Sequence, residues 1–280
     1  MAATVLFGLQ FFFNKIYQKG EGSGLSAAMM FTFLNSVACA VVMFCLNGFH
    51  FEFSFFSLAV AFVCAINNLL YSYSAVNALG KADLSTFSIF AMLGGMVLPF
   101  IGGIVFWNED LTVVKFICLV LIALALFIGS PRGKSDRSAI KYYAAVFIFN
   151  GMSGIVSKIH QSGAAHVSSE GYMILSSTSA ALLSAIVLCV IFIARGQKPC
   201  LKRPLPSISG AAVYGLISGL GNLFLLIALG HVETSVQYPL VTGGTIVVSA
   251  IISLFSKEKP TPRSLIAVGI SFAATLVLIF

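Results

Sequence analysis

Ten long apolar stretches, separated by short polar breaks, dominate the sequence. They cover 2–18, 25–47, 53–78, 84–107, 112–130, 139–159, 168–194, 208–230, 235–256 and 263–280. A helix needs about 20 mostly apolar residues to cross the hydrocarbon core of a bilayer, and the stretches approach or exceed that length. Membrane strands are not expected, because apolar and polar residues do not alternate with a period of two. The sequence therefore predicts an all-α polytopic membrane protein with ten transmembrane helices.

The composition excludes several other classes of protein. Hydrophobic residues make up 59% of the chain and charged residues 9%, whereas a soluble domain has about 45–50% apolar and about 25% charged residues. Despite the formal net charge of +7, no nucleic-acid partner is expected, because the basic residues lie in the short breaks between apolar stretches. The six cysteines form no Cys-x-x-Cys pair, so neither a disulfide framework nor a metal site is expected.

The two halves of the chain match each other in three places. At an offset of 143, Gly8 matches Gly151 and residues 15–18 match 158–161. At an offset of 150, residues 78–85 match 228–235. At an offset of 149, Gly94, Gly95, Glu109 and Thr112 match Gly243, Gly244, Glu258 and Thr261. Each half contains five predicted helices, and an odd number inverts the second copy in the membrane. We therefore expect two inverted repeats, 1–133 and 134–280, which are typical of secondary transporters with a substrate site near the bilayer midplane.

The chain resembles the drug/metabolite transporter superfamily, and specifically its EamA-like ten-helix members, over its whole length. The resemblance rests on the five-plus-five duplication, on Phe7-Gly8 and Asn150-Gly151, and on the glutamates that close the fourth helix of each half. The sequence departs from the family in two respects, since it lacks the Gly-Glu-Arg often found around that glutamate and the common Trp-Gly pair of the first helix. The resemblance implies a carrier of small metabolites such as amino acids, drugs or nucleotide-linked sugars, often an exporter.

No Asp or Glu falls in the middle of a predicted helix. A small four-helix multidrug exchanger relies on a carboxylate in its first helix, whereas the first helix here offers Gln10 and Asn14. Strong binding of organic cations through a buried carboxylate is therefore disfavoured. A neutral, zwitterionic or anionic substrate fits the sequence better.

Uncharged polar residues instead recur at helical spacing along the predicted helices. The candidates for substrate binding are Gln10, Asn14, Asn67, Tyr71, Asn150, Asn222, Tyr238 and Thr242. An amide that faces lipid is costly, so these side chains are expected to face protein or a wet cavity. Two interpretations remain open, because such residues also serve as hydrogen-bonding contacts between packed helices. In the proteins that the chain resembles, the first, third, sixth, eighth and ninth helices line the central cavity.

Lys15 and Lys158 occupy equivalent positions in the two halves, near opposite membrane faces. They are expected either to extend from a helix end toward water or to place a cation at each mouth of the site. His160 and His231 lie at helix ends, where an interfacial position is expected.

The basic residues are distributed unequally over the connections. The first, third, fifth, seventh and ninth connections hold thirteen: Lys19, Lys81, Arg132, Lys134, Arg137, Lys141, Arg195, Lys198, Lys202, Arg203, Lys257, Lys259 and Arg263. The even-numbered connections hold essentially Lys115 alone. Because short cytoplasmic loops are enriched in Lys and Arg, this pattern predicts that both termini lie outside. Members of the family that the chain resembles more often have both termini inside.

The sequence favours a multi-pass secondary transporter of the plasma or inner membrane that works by alternating access and exports a small metabolite. We expect no enzymatic activity, because the chain offers no His-Glu-x-x-His motif, paired acids or Ser–His pair near an interface. No cofactor is expected. The alternative is a non-transporting integral subunit or sensor. The expected partners are the lipid bilayer and a small-molecule substrate, with the protein a monomer or a homodimer.

Overall fold

The computed structural model describes residues 2–81, 84–110, 112–129, 137–195, 205–255 and 262–277. These residues form the helices α1 (Ala2–Glu21), α2 (Leu25–Leu46), α3 (Phe55–Leu79), α4 (Leu84–Trp107), α5 (Val113–Gly129), α6 (Arg137–Ser162), α7 (Ser169–Arg195), α8 (Leu205–Leu229), α9 (Thr234–Phe255) and α10 (Pro262–Val277). Within these ranges there is no strand. The all-α prediction is therefore confirmed for the described residues.

Among the described residues, six helical segments are long and apolar enough to cross a membrane. They are Leu25–Leu46, Phe55–Leu79, Ile89–Trp107, Ala139–Ser162, Ser169–Ala194 and Leu205–Leu229. Large apolar side chains also cover the outer surface, including Phe55, Val113 and Ile193, which are 82%, 76% and 81% exposed. Contiguous apolar surface of this kind marks contact with a membrane or a partner rather than with water. Length, composition and surface together are consistent with a multi-pass membrane protein.

Helix packing follows a rule that relates the two halves. Helix α1 packs on α8 and α9, and α6, five helices later, packs on α3 and α4. In the same way α2 packs on α8, and α7 packs on α3. The remaining large contacts, α2 with α7, α4 with α9 and α5 with α10, each join a helix to its own counterpart. Replacing every helix by the one five positions away therefore leaves this set of neighbours unchanged.

Glycines allow the closest of these helix crossings. A Cβ atom on Gly94 in α4 would fall against the backbone of Phe147 in α6, and one on Gly151 in α6 would fall against the carbonyl of Gly94. A Cβ atom on Gly8 in α1, the glycine of the first half that matches Gly151, would fall against the side chain of Val248 in α9. Because no side chain separates the backbones, helices at such crossings approach much more closely than larger residues would allow.

Replacing Gly94 with alanine should lower the melting temperature of the protein in detergent. The added methyl group would meet backbone atoms of Phe147, which cannot rotate away as the tip of a side chain can. Overpacking typically costs about 1–3 kcal/mol, which exceeds the roughly 0.5–1 kcal/mol that alanine gains over glycine within a helix. The matched control is Gly269→Ala in α10, where nothing lies within 4 Å of the new atom. Equal melting temperatures for the two variants would contradict the close crossing.

The helix connections gather at two opposite ends of the bundle. At one end Gly80, after α3, lies against Gln18 in the last turn of α1 and Ser23 of the α1–α2 connection, and Gly20 lies against Ser207 in the first turn of α8. We call this the basic end, because Lys19, Lys81, Lys141 and Arg263 lie there. Several predicted basic or repeat residues fall outside the described residues: Arg132, Lys134, Lys198, Lys202, Arg203, Lys257, Glu258, Lys259 and Thr261.

The opposite end, which we call the acidic end, contains Glu52, Glu109, Asp110, Glu170 and Glu233. Two of these carboxylates hold the N-terminus of a helix from the other half. Glu52 accepts hydrogen bonds of 2.7 Å from both the backbone N–H and the hydroxyl of Ser168, just before α7. Glu109 accepts from the backbone N–H groups of Thr234 and Ser235 at the start of α9, at 3.1 and 3.0 Å. A negative charge is favourable there, because the first N–H groups of a helix lack partners and its dipole is positive.

These two caps should make the stability of the protein depend on pH. Hydrogen bonds from Ser168 hold the pKa of Glu52 below its ordinary value. Burial opposes ionisation of Glu109, but hydrogen bonds from Ser235 and Thr234 outweigh it and also lower the pKa of that carboxyl.

A lowered pKa stabilises the folded state above the ordinary value of 4.5, and this stabilisation is lost as the pH falls through the folded-state value. We therefore expect the melting temperature to drop as the pH falls from the ordinary value of 4.5 through the lowered pKa values of the folded state. The double variant Glu52→Gln, Glu109→Gln should be less stable near neutral pH and should show a shallower drop. An equal drop in the variant would show that other groups cause it.

Candidate substrate cavity

A cavity of about 180 Å³ lies in the centre of the bundle. Eight helices line it, namely α1, α2, α3 and α4 from the first half and α6, α7, α8 and α9 from the second. None of the lining side chains that the structure describes is charged, and the polar ones are amides, hydroxyls and thiols. A concave site with a few converging polar groups is the usual form of a binding site for a small molecule.

Seven of the eight residues predicted to bind substrate line this one cavity. They are Gln10, Asn67, Tyr71, Asn150, Asn222, Tyr238 and Thr242. They come from α1, α3, α6, α8 and α9, so residues distant in the sequence converge at the centre of the bundle.

Three of the seven also connect neighbouring helices. The Asn67 amide of α3 donates to the Phe149 carbonyl at 2.8 Å, and the Asn150 amide of α6 donates to the Ala91 carbonyl of α4 at 2.6 Å. The Tyr238 hydroxyl of α9 donates to the Gly154 carbonyl at 3.2 Å. Each bond involves α6, so α6 is held on three sides by polar contacts as well as by packing.

Other polar lining groups make hydrogen bonds within their own helices or lack a partner. The side chains of Asn222 and Thr242 donate to carbonyls of their own helices, at 2.8 and 2.6 Å. The buried amide oxygen of Gln10 and the hydroxyl of Tyr172 have no hydrogen-bond partner. Buried polar groups are normally satisfied, so two unpartnered groups on one cavity indicate where a bound molecule would make its hydrogen bonds.

Asn14 was predicted to share the site with Gln10, but it does not line the cavity. It is fully buried, one turn closer to the basic end, and neither polar atom of its amide has a partner. The helical spacing correctly put the two amides on one face of α1. The cavity nevertheless ends before Asn14, because Tyr17, Phe31 and Tyr214 pack together at this level with ring centroids 4.9 and 4.8 Å apart.

Neither predicted mouth lysine reaches the cavity. Lys15 donates to the carbonyl of Leu79 at the C-terminus of α3, at 2.7 Å, where a cation is favourable to the helix dipole. Lys158 is half-buried near the acidic end. The basic side chain of the even-numbered connections, Lys115, is 6% exposed and pairs with Glu233 at 3.2 Å.

The cavity also has lining residues that the sequence did not predict. They are Asn35, Ser36 and Cys39 from α2, Tyr172, Ser176 and Ser177 from α7, Ser157 from α6, and Ser218 from α8. Asn35 carried a signal, since it is an amide in the middle of an apolar stretch. The serines carried none, because a hydroxyl within a membrane helix equally often bonds its own backbone.

His160 was expected at the membrane interface, but it is fully buried. Its ring stacks on Tyr172, with centroids 3.9 Å apart, and its Nε2 lies 3.0 Å from the hydroxyl of Ser57. The expectation failed because the α6–α7 connection folds back over this end of α6, where the Ser54 hydroxyl donates to the Ala165 carbonyl at 2.7 Å. His231, in contrast, is exposed.

Comparison with known proteins establishes the fold but no activity. No protein-family model and no curated protein matches the sequence. A solved structure described only as "Crystal structure of protein" has a TM-score of 0.69 and 13% sequence identity, over 100% of this chain and 99% of that one. The similarity thus covers the full length of both chains. At this identity it concerns the fold alone.

Asn150 and Asn222 should differ in their effect on stability, although both line the cavity. Asn150→Ala removes a hydrogen bond between α6 and α4, and the net contribution of such a bond to stability is typically about 0.5–1.5 kcal/mol. Asn222→Ala removes a bond within α8 and should change the melting temperature in detergent much less. Equal drops in melting temperature for the two variants would mean that the hydrogen bond between α6 and α4 adds nothing to stability.

Proposed function

We propose that this chain is an EamA-like secondary transporter of the drug/metabolite transporter superfamily, with ten transmembrane helices in two inverted repeats, 1–133 and 134–280. The central cavity carries the proposal, since four helices from each half line it and its polar groups are uncharged. Carriers built from inverted repeats hold substrate between the repeats near the midplane. Amides and hydroxyls bind and orient a solute without changing it, so the proposal includes no enzymatic step.

Two observations support the duplication. The main helix contacts are unchanged when each helix is exchanged with the one five positions away. Gly8 and Gly151, which match in sequence, each lie at a close crossing with the fourth helix of the opposite half. In this arrangement α5 and α10 pack together outside the cavity, with Phe116 and Phe127 turned outward at 57% and 66% exposure.

The cavity favours a small neutral or zwitterionic solute, such as an amino acid. Its volume of about 180 Å³ is below the roughly 300–1,000 Å³ of pockets for drug-sized ligands. An anion would require a cation within reach, and Lys15 and Lys158 both lie off the cavity. The tyrosines at positions 71, 172, 214 and 238 add apolar surface with polar edges, which suits a solute that has both kinds of group.

The cavity extends farther toward the acidic end than toward the basic end. Tyr172 and Tyr238 line it within the first two turns of α7 and α9, which begin at the acidic end. By the distribution of basic residues this end faces outward, and both termini with it. Alternating access would then require the packed rings of Tyr17, Phe31 and Tyr214 to separate on the inner side. We propose export as the net direction, from the resemblance to the family.

A thermal-shift screen of the purified protein against amino acids, nucleosides, sugars and drugs tests the proposal. Specific binding raises the apparent melting temperature by mass action, and a solute identified in this way should be transported into proteoliposomes. Binding without transport would instead favour a sensor or a non-transporting subunit.

Gln10→Ala should weaken substrate binding with little change in melting temperature. The amide oxygen of Gln10 has no protein partner to lose, whereas a lost hydrogen bond to substrate costs about 1–3 kcal/mol, or roughly 5- to 150-fold in affinity. The matched control is Gln161→Ala, near the end of α6, whose amide donates to Ser169 outside the cavity. Affinity should be measured on both variants by the thermal-shift titration. Unchanged affinity in Gln10→Ala would remove this residue from the site.

Orientation is tested by labelling single cysteines in a variant without the six native ones. An impermeant maleimide added outside intact cells should label Gly48→Cys, in the α2–α3 turn at the acidic end. It should not label Gly22→Cys, in the α1–α2 connection at the basic end. Both glycines have positive φ values, 61° and 76°, so the two substitutions carry similar backbone strain. The opposite result would place both termini inside.

A further inference from the structure

Two layers of packed rings lie beyond the cavity, one toward each end of the bundle. The layer at the basic end consists of Tyr17, Phe31 and Tyr214. The layer at the acidic end consists of His160 and Tyr172, with Phe56 stacked on the imidazole at a centroid distance of 6.2 Å. Tyr214 and Tyr172 line the cavity, so each layer has one ring that a bound solute can touch.

The two layers differ in one chemical respect. Tyr17 and His160 occupy equivalent positions in the halves, within the matching segments Lys-Ile-Tyr-Gln and Lys-Ile-His-Gln. Both side chains are fully buried. Tyrosine stays neutral throughout the physiological range, whereas histidine changes charge between about pH 5 and pH 8. The layer at the acidic end therefore contains a titratable group that the layer at the basic end lacks.

Only one ring nitrogen of His160 has a hydrogen-bonding partner. Nε2 lies 3.0 Å from the hydroxyl of the buried Ser57, whose oxygen also accepts the backbone N–H of Val167 at 3.0 Å. That oxygen has two lone pairs, so Ser57 can pair with Nε2 in either protonation state of the ring. Nδ1 is buried and has no partner among the described residues. The charged ring would therefore bury an N–H group that has no acceptor, together with its charge.

The groups that face His160 offer no compensating negative charge. From α7 it meets the neutral Tyr172, next to Cys64 of α3, and from the α6–α7 connection it meets His166, whose ring is 5.7 Å away. Phe56 and Ser57 of α3 do not titrate. The nearby Glu52 is hydrogen-bonded to Ser168, and neither Glu170 nor Lys158 forms a hydrogen bond or ion pair with the ring among the described residues.

We propose that His160 is a proton-binding site of the carrier and that proton and substrate binding compete. The proton favours an open state of the layer at the acidic end, and the substrate favours its packed state. A buried imidazolium without a carboxylate partner is strongly disfavoured, so protonation favours a conformation in which His160 has left the layer and reached water. A solute hydrogen-bonded to the hydroxyl of Tyr172, which lines the cavity, favours the packed layer and the neutral ring.

Competition of this kind makes the protein an exchanger of substrate for protons. Linkage is reciprocal, because a proton that weakens substrate binding is itself bound more weakly when substrate is present. The open state of the layer then binds a proton, and the packed state binds substrate. This inference rests on the proposed transport function for the substrate, whereas the proton site itself can be tested without any substrate.

The proton site is tested by labelling Ser153→Cys, which lines the cavity from α6, in the cysteine-free protein reconstituted in liposomes. An impermeant maleimide is added on the acidic-end side at about pH 8 and about pH 5. Each rate is divided by that of Gly48→Cys, which corrects for the reactivity of the thiol itself. The normalised rate should rise at least about fivefold on acidification, the lower limit of ordinary coupling between two sites.

His160→Gln should abolish this rise, because glutamine can bond Ser57 but does not titrate. The matched control is His231→Gln, an exposed histidine at the same end, which should respond as the parent protein does. If His160→Gln melts at a lower temperature at pH 8, His160→Tyr, which installs the residue of the first half, should also be insensitive to pH. A response that persists in His160→Gln, or that is lost only in His166→Gln, would overturn the assignment.

The competition is tested with radiolabelled neutral amino acids as zwitterionic probes. Their affinity for the wild-type protein should be at least about fivefold weaker at the lower pH and independent of pH in His160→Gln. Measurable binding that is independent of pH in the wild type would overturn the exchange. If no amino acid binds but the labelling response is present, the proposed substrate class fails while the proton site stands.

Discussion

The close crossing of α4 and α6 is the contact on which the rest of the structure depends. Gly94 and Gly151 bring the two backbones together, and the neighbouring glycines leave room for the polar groups of the cavity. A Cβ atom on Gly95 would lie 2.6 Å from the amide nitrogen of Asn150, and one on Gly154 would lie 2.9 Å from the ring of Tyr238. These small residues therefore allow an amide and a phenol to reach carbonyls on adjacent helices. The glycines at this crossing thus determine both the shape of the cavity and the hydrogen bonds that line it.

The charged side chains named above lie away from the centre of the bundle. The carboxylates of Glu52 and Glu109 lie at the acidic end, where each holds a helix from the opposite half, and Lys15 holds the end of α3 near the basic end. A charge at the bilayer centre is costly, whereas at a helix terminus it satisfies backbone groups that would otherwise lack partners. The carboxylates join the two halves at the acidic end, Lys15 joins two helices of the first half near the basic end, and neutral polar groups lie in between.

Much of this arrangement could be predicted from residue type and spacing. Amides are rare within apolar stretches and expensive in lipid, so Gln10, Asn67, Asn150 and Asn222 were recognisable, and they do line one cavity. Asn14 shows what residue type and spacing do not determine. Spacing gives the face of a helix but not the depth at which a cavity ends, because that depends on Phe31 and Tyr214 from other helices.

His160 was misplaced for a related reason. Its distance from the end of the apolar stretch indicated an interface, but the burial of a helix end is decided by the connection that covers it. The contributions of α2 and α7 were also missed, since serines within membrane helices give no sign of whether they face their own backbone or a neighbour. Long-range packing decides these points, and a local pattern cannot contain it.

The single tryptophan of the chain lies at the acidic end, where the indole N–H of Trp107 donates to the hydroxyl of Ser162 at 3.2 Å. Ser162 is the last residue of α6, two positions after His160. Indole emission responds to hydrogen bonding and to local polarity, and no other tryptophan contributes a background. The protein therefore carries an intrinsic optical reporter of this helix end, which can be followed in real time and without an attached dye.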